Sequence, residues 1–296
     1  MVVGKDLMEN DQITQDYAFI STSGVYKTPF TLIIAIQFLV GCFIIIFVNL
    51  WYWNSLYFYI FGEIIFPFPV LNNTFSKWII ILLFPLNIYG NIFLFAFSII
   101  AFSSLIFKLL NSFCPPKEGV FERDSKEWKY MHRRFWTAYF PIWLARALPI
   151  PWADIFAYRF FGTKVGKNVV LYEGYVDPLF VEIGNFTMTS LNICIFSHLI
   201  YHDKVIIMKV KIGNACVVGP QTVISPGTIM HDGAILGANS YTWINQELES
   251  DLIHVGTPVS MKLPIQTLEE SQMKVEKIQK DGGDEIMETK EEGDSK

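Results

Sequence analysis

The stretch IGNACVVGPQTVISPGTIMHDGAILG, residues 212–237, carries an aliphatic residue at every sixth position: Ile212, Val218, Ile224, Met230 and Leu236. A helix repeats near 3.6 residues and a strand at 2, so neither explains a period of six. Such a period marks an internal structural repeat. Each unit reads as one short strand and a turn, with one aliphatic side chain pointing inward. Three such units close one triangular coil, and coils stack at the strand spacing of about 4.8 Å. So narrow a column is filled by its own aliphatic ladder and crowded at its corners. Small residues accordingly stand four places after each aliphatic one: Cys216, Thr222, Thr228, Ala234 and Ser240. Glycine follows directly in Ile212-Gly213, Val218-Gly219 and Leu236-Gly237.

Traced backward, the phase locates an insertion. Ile183-Gly184 starts another unit, with Thr187 at the small position, and Val165-Gly166 begins one a full coil earlier. The step from Ile183 to Ile212 is longer than a coil by eleven positions. That surplus is therefore expelled between Ile195 and Ile212, in or near SHLIYHDKVIIMKVK, residues 197–211. This stretch holds His198, His202, Asp203 and Lys204, the densest polar cluster of the region. A loop thrown clear of a regular column is where function is expected.

Upstream, composition changes. The chain of 296 residues is 52% hydrophobic, 16% aromatic and only 17% charged, which points to membrane segments. No charged residue occurs from Thr28 to Gly62, nor from Trp78 to Phe107. A helix needs only about 20 apolar residues to cross the hydrocarbon core. Phe30 to about Tyr52 satisfies this, with Trp51, Tyr52 and Trp53 at the interface. Residues 54–76, with Pro67, Pro69 and Asn72-Asn73, read as a loop. Pro85, Asn87 and Asn91 interrupt the second run. Lys77 is the one basic residue between the runs, while Lys108, Lys117, Arg123, Lys126, Lys129, Arg133 and Arg134 follow the second. The positive-inside bias then places the following domain and both termini in the cytosol.

The expected organisation is a segment over 1–27, two transmembrane helices within 28–110, a connector over 111–162, a β-helix over 163–265 and a tail over 266–296. The connector mixes aromatic with basic residues and reads either as segments lying along the membrane or as a linker packed on the domain. Its Pro141, Pro149 and Pro151 argue against a single long helix. The tail holds ten acidic residues and five lysines, accounts for the whole net charge of −5, and reads as disordered. The rest is neutral in sum, which argues against a nucleic-acid partner. The four cysteines are scattered with no CxxC, so neither a disulfide framework nor a zinc knuckle is indicated.

Residues 159–265, with Arg159-Phe-Phe-Gly162-Thr-Lys-Val165-Gly166 at their start, resemble the hexapeptide-repeat acyltransferases, whose fold is a left-handed parallel β-helix. The closer resemblance is to the membrane-embedded C-terminal region of poly-lysine-synthetase-type nonribosomal peptide synthetases. It rests on Val181-Glu182-Ile183-Gly184, Ser197-His198-Leu199, Leu236-Gly237-Ala238-Asn239-Ser240 and Gly256-Thr257-Pro258. This sequence shows no adenylation or carrier domain, has His254 before the Gly-x-Pro where tryptophan is usual, and has Pro258-Val259 for their Pro-Ala.

The repeat count gives about four coils with one extruded loop; the resemblance implies a membrane-anchored enzyme and a homotrimeric assembly with its active site between neighbours. It implies acyl transfer from an acyl-CoA or acyl-carrier thioester to a small-molecule amine or hydroxyl. His198 is carried over as the general base, with His202 and Asp203 supporting it. Imidazole, with an ordinary pKa near 6.5, suits that role. Gly237, Asn239, Gly256 and Pro258 are the donor-binding candidates, and a carrier protein is a possible partner. His198 and His202 invite a metal reading, but no third ligand stands in phase, so no metal is expected. The alternative is a non-catalytic, membrane-anchored trimeric scaffold.

Overall fold

The computed structural model describes residues 29–64 and 77–265. The N-terminal segment, the acidic tail and the Pro67–Asn73 loop signals lie outside the described residues.

Two long helices open the chain: α1 (Phe30–Phe61) and, after the short α2 (Lys77–Leu82), α3 (Phe84–Phe113). Both are long and apolar enough to cross a membrane. The first continues through residues 54–61, which read as loop in the sequence, with Asn54 and Ser55 buried. Its partition of side chains is inverted relative to a water-soluble helix. The buried residues are Gln37, Gly41, Asn49, Asn54 and Ser55, while Leu39, Phe43 and Phe47 face outward, Phe43 being 69% exposed. A Cβ on Gly41 would sit 2.6 Å from the Phe95 ring, so the absent side chain permits the close approach of α1 to α3. Asn49 donates to Asn91 (2.7 Å), Asn91 to Asn87 (3.1 Å) and Asn87 back to Asn49 (2.7 Å), closing an amide ring between the helices. The expected interruption falls at Leu83. Pro85 stands in the first turn of α3, where its missing N–H costs nothing.

The connector is ordered as β1 (Gly119–Glu122), α4 (Lys126–Ala147) and α5 (Ala153–Phe161). Ser125 caps α4 by accepting the Trp128 N–H. Contrary to expectation, α4 runs through Pro141. A proline frees the carbonyl four residues back, here that of Thr137, and Gln37 of α1 donates to it at 2.9 Å. The bond missing within α4 is thus made from α1. Phe30 of α1 also stacks on Trp136 at 4.7 Å.

The remainder is a three-sided column of short parallel strands. Face one is β2 (Lys164–Val165), β4 (Val181–Ile183), β9 (Val210–Ile212), β12 (Ile229–Met230) and β14 (Glu247–Leu248). Face two is β5 (Met188–Thr189), β10 (Val217–Val218), β13 (Ile235–Leu236) and β15 (Leu252–Gly256), closed by an antiparallel β16 (Val259–Pro264). Face three is β3 (Gly174–Val176), β6 (Ile193–Ile195) and β11 (Val223–Ile224). Register follows the repeat: Ile212 pairs with Met230 and Met230 with Leu248, each step being three hexapeptide units. Ile212, Val218, Ile224, Met230 and Leu236 are all buried, as are the five small residues four places after them. A Cβ on Gly219 would meet the Leu236 carbonyl oxygen at 2.8 Å, which explains the glycine after the aliphatic residue. His254 continues the Val218–Leu236 ladder and is 0% exposed inside the column.

The eleven surplus residues form a hairpin, β7 (His198–Tyr201) and β8 (Lys204–Ile207), at the corner between faces three and one. β1 extends it to a three-stranded antiparallel sheet. Val205 and Ile207 pack against Trp128 and Met131 of α4, so the connector covers the hairpin.

Candidate active site

His198 stands at the base of the hairpin, paired in register with Ile207. Its Nδ1 lies 2.7 Å from Oδ2 of Asp177. A carboxylate accepts only, so Nδ1–H is the donor and the Nε2 lone pair is free for an incoming proton. The same Oδ2 takes the backbone N–H of Ser197 (2.6 Å) and of His198 (3.2 Å) and the Ser197 hydroxyl (3.0 Å). Oδ1 accepts the Tyr175 hydroxyl at 2.7 Å. Asp177 is almost wholly buried, whereas the His198 side chain is 19% exposed. Burial pulls the imidazole down, but the charge and hydrogen bond of Asp177 outweigh it and hold His198 above its ordinary 6.5.

Asp177 reaches His198 through a slip in the repeat. Val176, not Asp177, pairs with Ile195, a step one residue longer than a regular coil. The surplus residue lies at the corner Asp177-Pro178-Leu179-Phe180, where Phe180 adopts a left-handed φ of 58°. Asp177 therefore turns outward beside Ser197 and His198 instead of filling the ladder. Tyr175, two residues before it on β3, faces the same way.

The roof over the imidazole is α4. Met131, Arg134 and Phe135 join Phe180, Ile207 and His198 around a cavity of about 40 Å³, room for a small group or a few waters. The Arg134 guanidinium is anchored at the end of α3 by Asn111 (2.8 Å) and the Cys114 carbonyl. His132 of the same helix is buried with Nε2 unpartnered among the described residues. Burial, and then the neighbouring charge of His198, push its pKa down to about 4.

Of the other sequence candidates, His202 and Asp203 form the exposed hairpin tip, about 13 Å along the strand from His198. Asp203 accepts the Arg123 N–H through its carbonyl, and the carboxylate on the imidazole is that of Asp177. Gly237 and Asn239 lie at the corner between faces two and three, further along the column. Gly256 donates to Ser240 Oγ at 3.1 Å, and Pro258 lies in the turn before β16. The four are thus grouped near one end of the column and are not brought onto His198 within the chain. Among the described residues no three His, Cys, Asp or Glu side chains converge as a metal site.

No protein-family model and no curated protein matches the chain. Among solved structures, a maltose O-acetyltransferase from Clostridium difficile 630 aligns at 15% identity and a TM-score of 0.41, over 50% of this chain and 94% of its own. A hexapeptide-repeat-containing acetyltransferase from Vibrio cholerae aligns at 15% identity and 0.39, over 49% and 97%. An N-acyltransferase from Bacillus cereus, in complex with dTDP-4-amino-4,6-dideoxyglucose and coenzyme A, aligns at 19% identity and 0.27, over 40% and 68%.

Proposed function

We propose that the chain is a membrane-anchored acyltransferase of the hexapeptide-repeat, left-handed β-helix type. It moves an acyl group from a coenzyme A or carrier-protein thioester to an amine or hydroxyl. The observation that carries this reading is the His198–Asp177 pair, held at 2.7 Å on a hairpin expelled from a hexapeptide column. In this mechanism the acceptor heteroatom attacks the thioester carbonyl carbon while Nε2 of His198 takes its proton. Asp177 holds the tautomer and stabilises the imidazolium. The tetrahedral intermediate then collapses, the C–S bond breaks, and the imidazolium returns the proton to the departing thiolate. Backbone N–H groups at the corner turns are the candidate oxyanion donors.

Membrane anchoring is supported by the inverted faces of α1 and by the basic residues after α3, which favour a cytosolic catalytic domain. Self-association, with the homotrimer as the expected form, is supported by the outer surface of face two. There Val170, Met188, Val217, Ile235, Ile253 and Leu263 stand in one register as an aliphatic stripe. The corresponding outer positions of face one are Lys164, Glu182, Lys211, Ile229 and Glu247. Because α4 of the same chain roofs His198, we assign the base and its orienting carboxylate to one chain. Gly237, Asn239, Gly256 and Pro258 are left to hold the donor from a neighbouring copy. The resemblance to poly-lysine synthetases rests on motif order, and an aminoacyl thioester accepted as donor would support it.

The test is thiol release from acetyl-CoA by the full chain in lipid nanodiscs, with a panel of amine and hydroxyl acceptors. His198→Ala should lose at least about 10²-fold in turnover with the same unfolding temperature. Unaltered turnover would remove His198 from the mechanism.

A further inference from the structure

We propose that Tyr175 is a positioning residue of this reaction: through its hydroxyl on Oδ1 of Asp177 it sets how strongly that carboxylate holds the His198 imidazolium, and so the basicity of His198. The inference rests on the acyl-transfer reading for what the pair is used for, but the tuning itself stands on geometry.

Asp177 divides its two oxygens. Oδ2 collects four groups from Ser197 and His198, all on the base side. Among the described residues Oδ1 accepts from one donor, the Tyr175 hydroxyl at 2.7 Å. Without that donor Oδ2 keeps its place, since its four partners from Ser197 and His198 still hold it, and what changes is how the carboxylate's charge is shared between its two oxygens. The ring of Tyr175 is itself clamped. It lies 6.2 Å from Phe135 and 5.5 Å from Phe196, and the same two rings lie 6.1 and 6.3 Å from His198. One aromatic wall, contributed by α4 and the chain after β6, thus holds both the phenol and the imidazole. Burial and the Asp177 charge keep the phenol far above its ordinary range, so it remains a donor at every working pH.

The electrostatic consequence has a sign. A hydroxyl donating to Oδ1 draws negative charge away from Oδ2. Removing it leaves Oδ2 a stronger acceptor for Nδ1–H and a better partner for the imidazolium, so the His198 pKa rises. Other titratable or charged groups facing this cluster are His132 and Arg134 from α4, Arg146 from the end of α4, Tyr158 from α5 and Cys194 from β6. His132 is held neutral near pH 7, so it contributes no charge there.

The experiment is an NMR titration of ring-labelled histidine in the full chain in nanodiscs, with His198→Gln used to assign the resonance among the five histidines. Tyr175→Phe should raise the His198 midpoint by about half a unit or more, and the acid limb of the pH–rate profile should move with it. In an Asp177→Asn background the same substitution should move the midpoint no further. Should Tyr175→Phe fold poorly, fluorotyrosine at this position, a stronger donor of nearly the same shape, should lower the midpoint. A structural role alone would lower the unfolding temperature and leave the midpoint in place; that result overturns the proposal. The titration needs no substrate, so absent thioester turnover would sink the acyl-transfer reading separately.

Discussion

His198 and His132, the one beneath α4 and the other within it, are shifted in opposite directions. His198 is held above its ordinary 6.5 by Asp177, so the free base is gained only as pH rises through that elevated value. The pH profile of kcat/KM should therefore show an acid limb centred above 6.5. Asp177→Asn should lower that limb and cost about 10²–10⁴-fold in rate, measured as thiol release. For stability, His132 is neutral in the fold, with a pKa of about 4 against 6.5 unfolded, so the unfolded chain binds more protons between those values. Stability falls as pH drops through that window, and His132→Phe should flatten the fall in calorimetric scans. His198 has the opposite sign: its contribution is full below 6.5 and fades as pH climbs past the raised value. Corner residues offer a further test at this scale. Ala215 adopts a left-handed φ of 53°, a conformation that costs an L-residue about 1–2 kcal/mol. Ala215→Gly should raise stability by up to about 1 kcal/mol in a denaturant titration. The hairpin that carries His198 was legible because it falls at a phase break. Asp177 was not: standing one regular coil before Ile195, it occupies by phase the inward slot that the structure gives to Val176.

Among the elements, α4 departs most from the sequence reading. A proline at position 141 argues for a break, yet the helix continues because the orphaned Thr137 carbonyl finds Gln37 far earlier in the chain. That compensation is invisible to any local rule, since it requires α1 and α4 to be docked. Gln37→Leu keeps the apolar character of α1 but leaves the carbonyl unpaired. It should cost about 1–3 kcal/mol, seen as a lower unfolding temperature in nanodiscs and faster proteolysis of the connector. The hairpin is the complementary case, since its eleven surplus residues followed from the count between Ile183 and Ile212 alone. What counting did not give is its pairing with β1, because antiparallel partners so distant in sequence share no periodicity. Excision of residues 197–207 should restore the regular coil spacing, leaving the column's strand signature in circular dichroism while abolishing thioester turnover.

Across the whole molecule, helices that expose hydrocarbon are joined to a column that buries it. The aliphatic stripe on face two adds a second surface that water does not favour. Ile235→Asp places a charge at its centre and should convert an associated form to single chains in size-exclusion chromatography with light scattering. An unchanged mass would assign the stripe to some other contact. The sequence by itself determined the column, because a ladder one side chain deep must repeat whenever the backbone returns, and repetition along a chain can be counted. It likewise determined the two apolar helices, whose length and lack of charge are local properties. Only the tertiary structure decided which carboxylate holds His198, which helix roofs it and which amide mends α4. Those are meetings of residues distant in sequence, set by packing and a one-residue slip at a corner, and no period passes through them.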